Sequence, residues 1–186
     1  MRIDTIQLVN FKCFADRTFQ IAPRFNLLVG SNGKGKTSVL DGLAVGLGSW
    51  FLGLSDPAKA RNIHRDDVRI QFHRQEQTTT AEPQYPCEVI CHGEVLESQG
   101  EWKRALTGRD GRTTRADAKW ITDLANKAQD DVQRNASITL PVVTYYGTGR
   151  LWVQIRDRKV ESIGPQSRLM GYLDCLNPAS DEKRLI

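Results

Sequence analysis

Eight consecutive residues, Gly30-Ser31-Asn32-Gly33-Lys34-Gly35-Lys36-Thr37, constrain this chain more than any other stretch. A glycine, four residues and then Gly-Lys-Thr is the spacing of a loop that cradles phosphate. Glycines let the backbone turn tightly and aim successive N–H groups at phosphate oxygens. A helix starting at Lys36 would turn the positive end of its dipole toward the same anion. On this pattern Lys36 reaches the β- and γ-phosphates as a point charge, and the Thr37 hydroxyl ligates Mg²⁺. Asn32 and Lys34 flank the phosphate path, and Ser38 is placed to hydrogen-bond the α-phosphate.

The flanking sequence suits such a loop. Residues 25–29, Phe-Asn-Leu-Leu-Val, are a continuous apolar run and are predicted as a buried central strand. Beyond Lys36, the residues Val39, Leu40, Leu43, Leu47 and Phe51 recur at spacings of three and four, which predicts a helix with one apolar face. Gly42, Gly46 and Gly48 lower helix propensity, and their expected use is close packing on a sheet.

Elsewhere, residues 3–9 and 17–21 are predicted as strands, with a break at Pro23. Residues 68–72 and 86–96 are further strand candidates, separated by a polar loop at 78–83. A glycine-rich loop is expected at 107–113, a helix at 114–136 and a buried strand at 138–145. A short helix at 165–176 and the start of another at 179–186 complete the reading.

The chain's 186 residues suit one domain, or one and a fraction. With 39% hydrophobic and 26% charged residues, it is neither a disordered tail nor a collagen-like fibre. The longest apolar stretch, 39–54, is interrupted by Asp41 and four glycines, so no membrane span is expected. No signal layout opens the chain, which points to a cytoplasmic setting with reduced thiols. Cys13, Cys87, Cys91 and Cys175 form no Cys-x-x-Cys pair, and His64, His73 and His92 are scattered, so a metal cluster is not expected.

A net charge of +4 permits a nucleic-acid partner without demanding one. Lys103, Arg104, Arg109, Arg112, Arg115 and Lys119 surround the 107–113 loop, offset only by Glu101, Asp110 and Asp117, with Trp102 nearby. Two readings stand: a surface that meets DNA phosphates, or a solvated face with salt-bridge neighbours.

Residues 1–54 resemble the N-terminus of ABC-type ATPases of the SMC/RecF kind. In that family a first strand ends in Asn-Phe-Arg/Lys, a second strand follows, and a third leads into Gly-x-Asn-Gly-x-Gly-Lys-Thr/Ser. Here these stand as Leu8-Val9-Asn10-Phe11-Lys12-Cys13-Phe14 and as residues 26–38, continuing into Val39-Leu40-Asp41-Gly42-Leu43-Ala44. Lys12 matches a basic residue that in relatives lies near the nucleotide phosphates; a solvated surface lysine is the other reading. Asp66-Asp67-Val68-Arg69, residues 145–152 and residues 171–178 resemble a bacterial subgroup described as predicted ATP-binding proteins. That subgroup includes ATPases of antiphage systems such as Septu and some retrons.

The resemblance implies an α/β P-loop NTPase fold, lobe I of an ABC-type domain, with a mixed sheet and an antiparallel β-subsheet. It implies ATP and Mg²⁺ as cofactors, bound through Gly30, Asn32, Gly33, Lys34, Gly35, Lys36, Thr37 and Ser38. It further implies a homodimer closed through ATP that signals to a nuclease or another effector. On this reading residues 1–178 are the N-terminal half of the nucleotide-binding domain and 179–186 begin a helical insertion, where the chain stops. The family's Walker B Asp-Glu pair, Ser-Gly-Gly signature and switch His are not found, so no catalytic residue is assigned in this chain. No Gln stands after the 142–145 strand, where relatives keep a Mg²⁺-sensing Gln. Gln154 is a weak substitute, and Tyr146 and Arg150 either act near the nucleotide or pack. A non-hydrolysing nucleotide- or DNA-binding scaffold and a P-loop small-molecule kinase are the alternatives.

Overall fold

The computed structural model describes residues 1–55, 59–75, 78–147, 167–173 and 175–177. In chain order the elements are β1 (Arg2–Phe11), β2 (Phe14–Gln20), α1 (Lys36–Gly48), β3 (Ile70–Gln75), β4 (Thr78–Pro83), β5 (Cys87–Val95), β6 (Ser98–Leu106) and α2 (Lys119–Gln133). A four-stranded sheet has the order β2-β1-β5-β6, and β3 pairs with β4 in a second sheet. Both are antiparallel among the described residues.

β1 is central because both of its edges are paired. Its core residues are Ile3, Ile6, Leu8 and Phe11, which do not follow a strict period of two. A register shift between Ile3 and Thr5 on the β5 side explains how Ile3 and Ile6 can share a face. Helix α1 crosses this sheet through its glycines. A Cβ on Gly42 would lie 2.6 Å from Leu8 Cδ2, and one on Gly46 would overlap the Cys91 sulfur. The expected glycine packing on the sheet is therefore present at Gly42 and Gly46, whereas Gly48 approaches the Arg61 backbone, where a Cβ would lie 2.8 Å from its nitrogen. Trp102 adds a buried bond, donating Nε1–H to the Gly46 carbonyl at 2.9 Å. Helix α2 buries Ile121, Ala125, Ala128 and Val132, and the rings of Trp102 and Trp120 stack at 5.7 Å.

Several expectations are corrected. Residues 25–29 join no ladder: Phe25, Leu27 and Val29 are 77%, 73% and 84% exposed. An apolar run forms a buried strand only where another strand lies beside it, and none does among the described residues, so the mixed sheet is not observed. Residues 138–145 likewise run without a ladder, with Val143 buried and Val142 95% exposed. The predicted apolar face of α1 is met in part: Val39 and Phe51 are buried and Leu43 and Leu47 pack half-buried on the core, but Leu40 is exposed, and Ser38, Asp41, Gly42, Val45 and Gly46 also face inward. The stretch 78–83 is a strand, because threonines suit a pleated surface even without apolar alternation. β6 is not among the expected strands.

The expected helix at 114–136 starts later, with a 3-10 turn at Ala116–Ala118 leading into α2. The short helix near 165–176 is a 3-10 turn, Arg168–Tyr172. Arg150, Gln154 and the 179–186 helix lie outside the described residues. No helix among those residues is long and apolar enough to cross a membrane.

Candidate phosphate-binding site

Gly33 and Gly35 have φ of +78° and +86°, the left-handed region that glycine enters without strain. Gly35 is the N-cap of α1, and no side chain caps it. The first turn carries no acidic residue either, so nothing in that turn neutralises the positive end of the helix dipole. The loop at 30–34 is exposed, as is Thr37, which stands in the first turn of the helix. Asn32 and Lys34 lie on that exposed rim, and the Lys34 N–H closes the turn on the Ser31 carbonyl at 3.4 Å. Lys36 folds over the loop, donating from Nζ to the carbonyls of Gly30 at 2.7 Å and Ser31 at 2.9 Å. Ser38 sits deeper; it is buried, and its Oγ accepts a weak bond from the Cys13 thiol at 3.8 Å.

The turn between β1 and β2 forms one wall. A Cβ on Gly35 would lie 2.6 Å from Phe14 Cζ and 2.7 Å from Cys13 Sγ, so the turn is pressed on the loop's last glycine. Lys12 in this turn has φ +50°. Its side chain forms an ion pair with buried Asp41 of α1 and approaches Asp67 Oδ1 at 3.4 Å. Arg61 Nη2 reaches Asp41 Oδ1 at 2.9 Å, and the Tyr145 hydroxyl donates to the same oxygen at 2.8 Å. The Arg61 guanidinium also lies 5.6 Å from the Tyr145 ring centre.

Burial alone would raise the pKa of Asp41, but bonds from Lys12 and Tyr145 and the charge of Arg61 outweigh it and hold the carboxyl below its ordinary value. Burial and the Asp41 carboxylate push the Tyr145 phenol up to about 12. Lys12 is therefore engaged by two carboxylates at the loop's flank rather than being a solvated lysine.

The basic stretch divides. Arg109, Arg112 and Arg115 are exposed, whereas Arg104 is fully buried and cannot meet DNA phosphates. Its Nε donates to the Thr114 carbonyl at 2.7 Å and its Nη2 to Asn62 Oδ1 at 2.8 Å, tying two loops together. Burial draws its pKa down to about 10. Lys103 is occupied by Glu88 at 3.2 Å and Asp117 at 3.8 Å.

Sequence reasoning does not assign Asp41, Arg61, Asp67 or Tyr145 to the site. One signal is present: a carboxylate inside an apolar helical stretch has to find partners when buried.

The sequence profile of the AAA domain family matches residues 5–186, nearly the whole chain. The chain belongs to the AAA domain family. The chain is 25% identical over 164 residues to the DNA replication and repair protein RecF of Chlorobium limicola, covering 73% of this chain and 45% of the relative. It is 40% identical over 63 residues to structural maintenance of chromosomes protein 6 of Schizosaccharomyces pombe, 34% of this chain and 5% of the relative. It is 32% identical over 69 residues to the DNA double-strand break repair Rad50 ATPase of Pyrococcus abyssi, 37% of this chain and 7% of the relative. The chain thus spans less than half the length of the curated relatives it matches.

Proposed function

We propose that this chain binds ATP·Mg²⁺ through residues 30–38 and acts as the N-terminal half of an SMC/RecF-like ATPase of DNA metabolism. The observation that carries this reading is the uncapped start of α1 behind two left-handed glycines, with Lys36 held on the loop's own carbonyls. Such a lysine can exchange two carbonyl oxygens for phosphate oxygens without rebuilding the loop. The Thr37 hydroxyl would hold Mg²⁺, and the loop N–H groups would take the phosphates. The metal, when bound, supplies charge neutralisation between the phosphates.

Residues 1–178 are read as half of a nucleotide-binding domain. The exposed apolar run at 25–29 supports this, since a strand from another segment or subunit would cover it. Dimerisation through ATP, control of a nuclease or other effector, and a role in antiphage defence follow from the family resemblance. The names of the relatives favour DNA metabolism, and DNA is the proposed polymer partner at Arg109, Arg112 and Arg115.

Calorimetric titration with ATP·Mg²⁺ tests the reading. Lys36→Ala should abolish binding, and unchanged affinity would overturn it. Robust ATP turnover by the pure 186-residue chain would overturn the half-domain reading. Binding with no turnover even after a complementing half is supplied would favour a non-hydrolysing scaffold.

A further inference from the structure

Asp41 is a buried carboxylate that phosphate binding does not use directly. It lies one helical turn beyond Thr37 on α1, and separate segments converge on it. Lys12 arrives from the β1–β2 turn, Arg61 from the loop that precedes β3, and Tyr145 from the far side of the chain. Asp67 shares Lys12. Two carboxylates and two cations balance in charge, and the Tyr145 hydroxyl is an added neutral donor.

Two features distinguish this cluster from a static clamp. Lys12 stands beside the loop, because its neighbours Cys13 and Phe14 in the same turn press on Gly35, at the mouth of the helix where an anion would sit. Tyr145, in turn, lies in a segment, 138–147, that joins no ladder among the described residues. Its backbone N–H donates to the Cys175 carbonyl at 2.8 Å, and its hydroxyl links the segment to α1. One end of the cluster therefore faces the loop, and the other holds a segment outside the ladders, which Arg168 and Tyr172 also bond at the Ile138 and Pro141 carbonyls.

We propose that Asp41 is a positioning residue that couples anion occupancy of the loop to the placement of residues 138–147 through Tyr145. This rests on the ATP-binding reading of residues 30–38. An anion in the loop draws Lys12 toward itself. Asp41 is then shared among fewer donors, and its charge-assisted bonds to Arg61 and Tyr145 tighten. Segment 138–147 is fixed as a result. The coupling is reciprocal: whatever holds Tyr145 against Asp41 raises nucleotide affinity by the same factor.

Hydrogen exchange of the full chain, with and without ATP·Mg²⁺, tests the coupling. In the wild type, ATP should slow exchange across 138–147. Tyr145→Phe removes one hydroxyl; it should still bind ATP, with affinity lowered about fivefold, at the low end of typical coupling, and lose the slowing. Asp41→Asn should do the same. Lys36→Ala should lose both binding and slowing. If the wild type does not bind ATP, the ATP reading falls and the coupling falls with it. If the wild type binds ATP and Lys36→Ala does not, but 138–147 is unmoved or Tyr145→Phe behaves as wild type, the coupling alone falls. Should Tyr145→Phe fail to fold, the wild-type exchange decides, since an unmoved 138–147 segment in the ATP-bound chain overturns the coupling.

Discussion

The Cys91 sulfur fills the space that a side chain on Gly46 would need, so α1 approaches the sheet as closely as a glycine permits. Gly46→Ala should be destabilising even though alanine favours a helix by about 1 kcal/mol over glycine. The sulfur is fully buried and cannot move aside, and overpacking of this kind costs roughly 1–3 kcal/mol. Cys91→Ala makes room, so the double variant should be more stable than Gly46→Ala alone. Urea unfolding of the four proteins checks this, and strictly additive effects would contradict the contact.

The loop glycines should differ from one another. Gly33 has φ +78° with nothing near its would-be Cβ, so Gly33→Ala meets only backbone strain of about 1–2 kcal/mol. Gly35 combines φ +86° with Phe14 and Cys13 in contact range. Gly35→Ala should therefore lose more stability than Gly33→Ala and should displace the β1–β2 turn that carries Lys12. Thermal melting ranks the two variants, and equal losses would show that the Phe14 wall yields freely.

What is readable in the sequence is local. The 30–38 loop and α1 follow from neighbours in the chain, because the motif and its helix are adjacent; the close packing of α1's glycines is readable too, but not their partners, Leu8 and Cys91. The Asp41 cluster is not readable, since Lys12 lies 29 residues before it and Tyr145 lies 104 after it. Arg104 reads as a surface group because arginine usually is one; only the fold puts Thr114 and Asn62 around it. Residues 25–29 have a strand's composition, but a ladder needs a partner, and that partner is not encoded in the run itself.

The split within the basic stretch yields separable effects. Arg109, Arg112 and Arg115 are exposed, so replacing all three with alanine should shift the melting temperature by no more than about 3–6 °C, since exposed substitutions stay within about 0.5 kcal/mol each. The same variant should weaken duplex DNA binding and flatten its salt dependence by about 0.9 in log–log slope for each phosphate no longer neutralised. Arg104→Ala should do the reverse: it unties the 62 and 114 loops and leaves a void, at roughly 1–3 kcal/mol for the acceptors left unpaired. Unchanged DNA affinity in the triple variant would remove this loop from the interface.

Alkaline pH should destabilise the fold in two stages. Burial pushes the Cys87 thiol from its ordinary 9.0 up to about 12, and burial also raises the fully buried Cys91 thiol. Tyr145 and Tyr172 are raised from 10.0 to about 12, again first by burial. In each case the folded pKa lies above the unfolded one, so the contribution to stability is complete below the unfolded value and is lost as pH rises through the folded value. The thiols therefore act alone between pH 9 and 10, with a slope approaching about 1.4 kcal/mol per pH unit for each. Above pH 10 the phenols join, while Arg104, whose folded pKa is lowered to about 10, works in the opposite direction. Asp41 contributes nothing here: its carboxyl is lowered, so its contribution is lost only on acidification below the ordinary carboxylate range. Urea midpoints measured from pH 7 to 11 should be level to about pH 9 and then fall. In a Cys87→Ala/Cys91→Ala variant the whole curve should be lower, because two buried sulfurs are lost, and the fall should begin near pH 10 instead. If that variant still turns downward at pH 9, the buried thiols are not its cause.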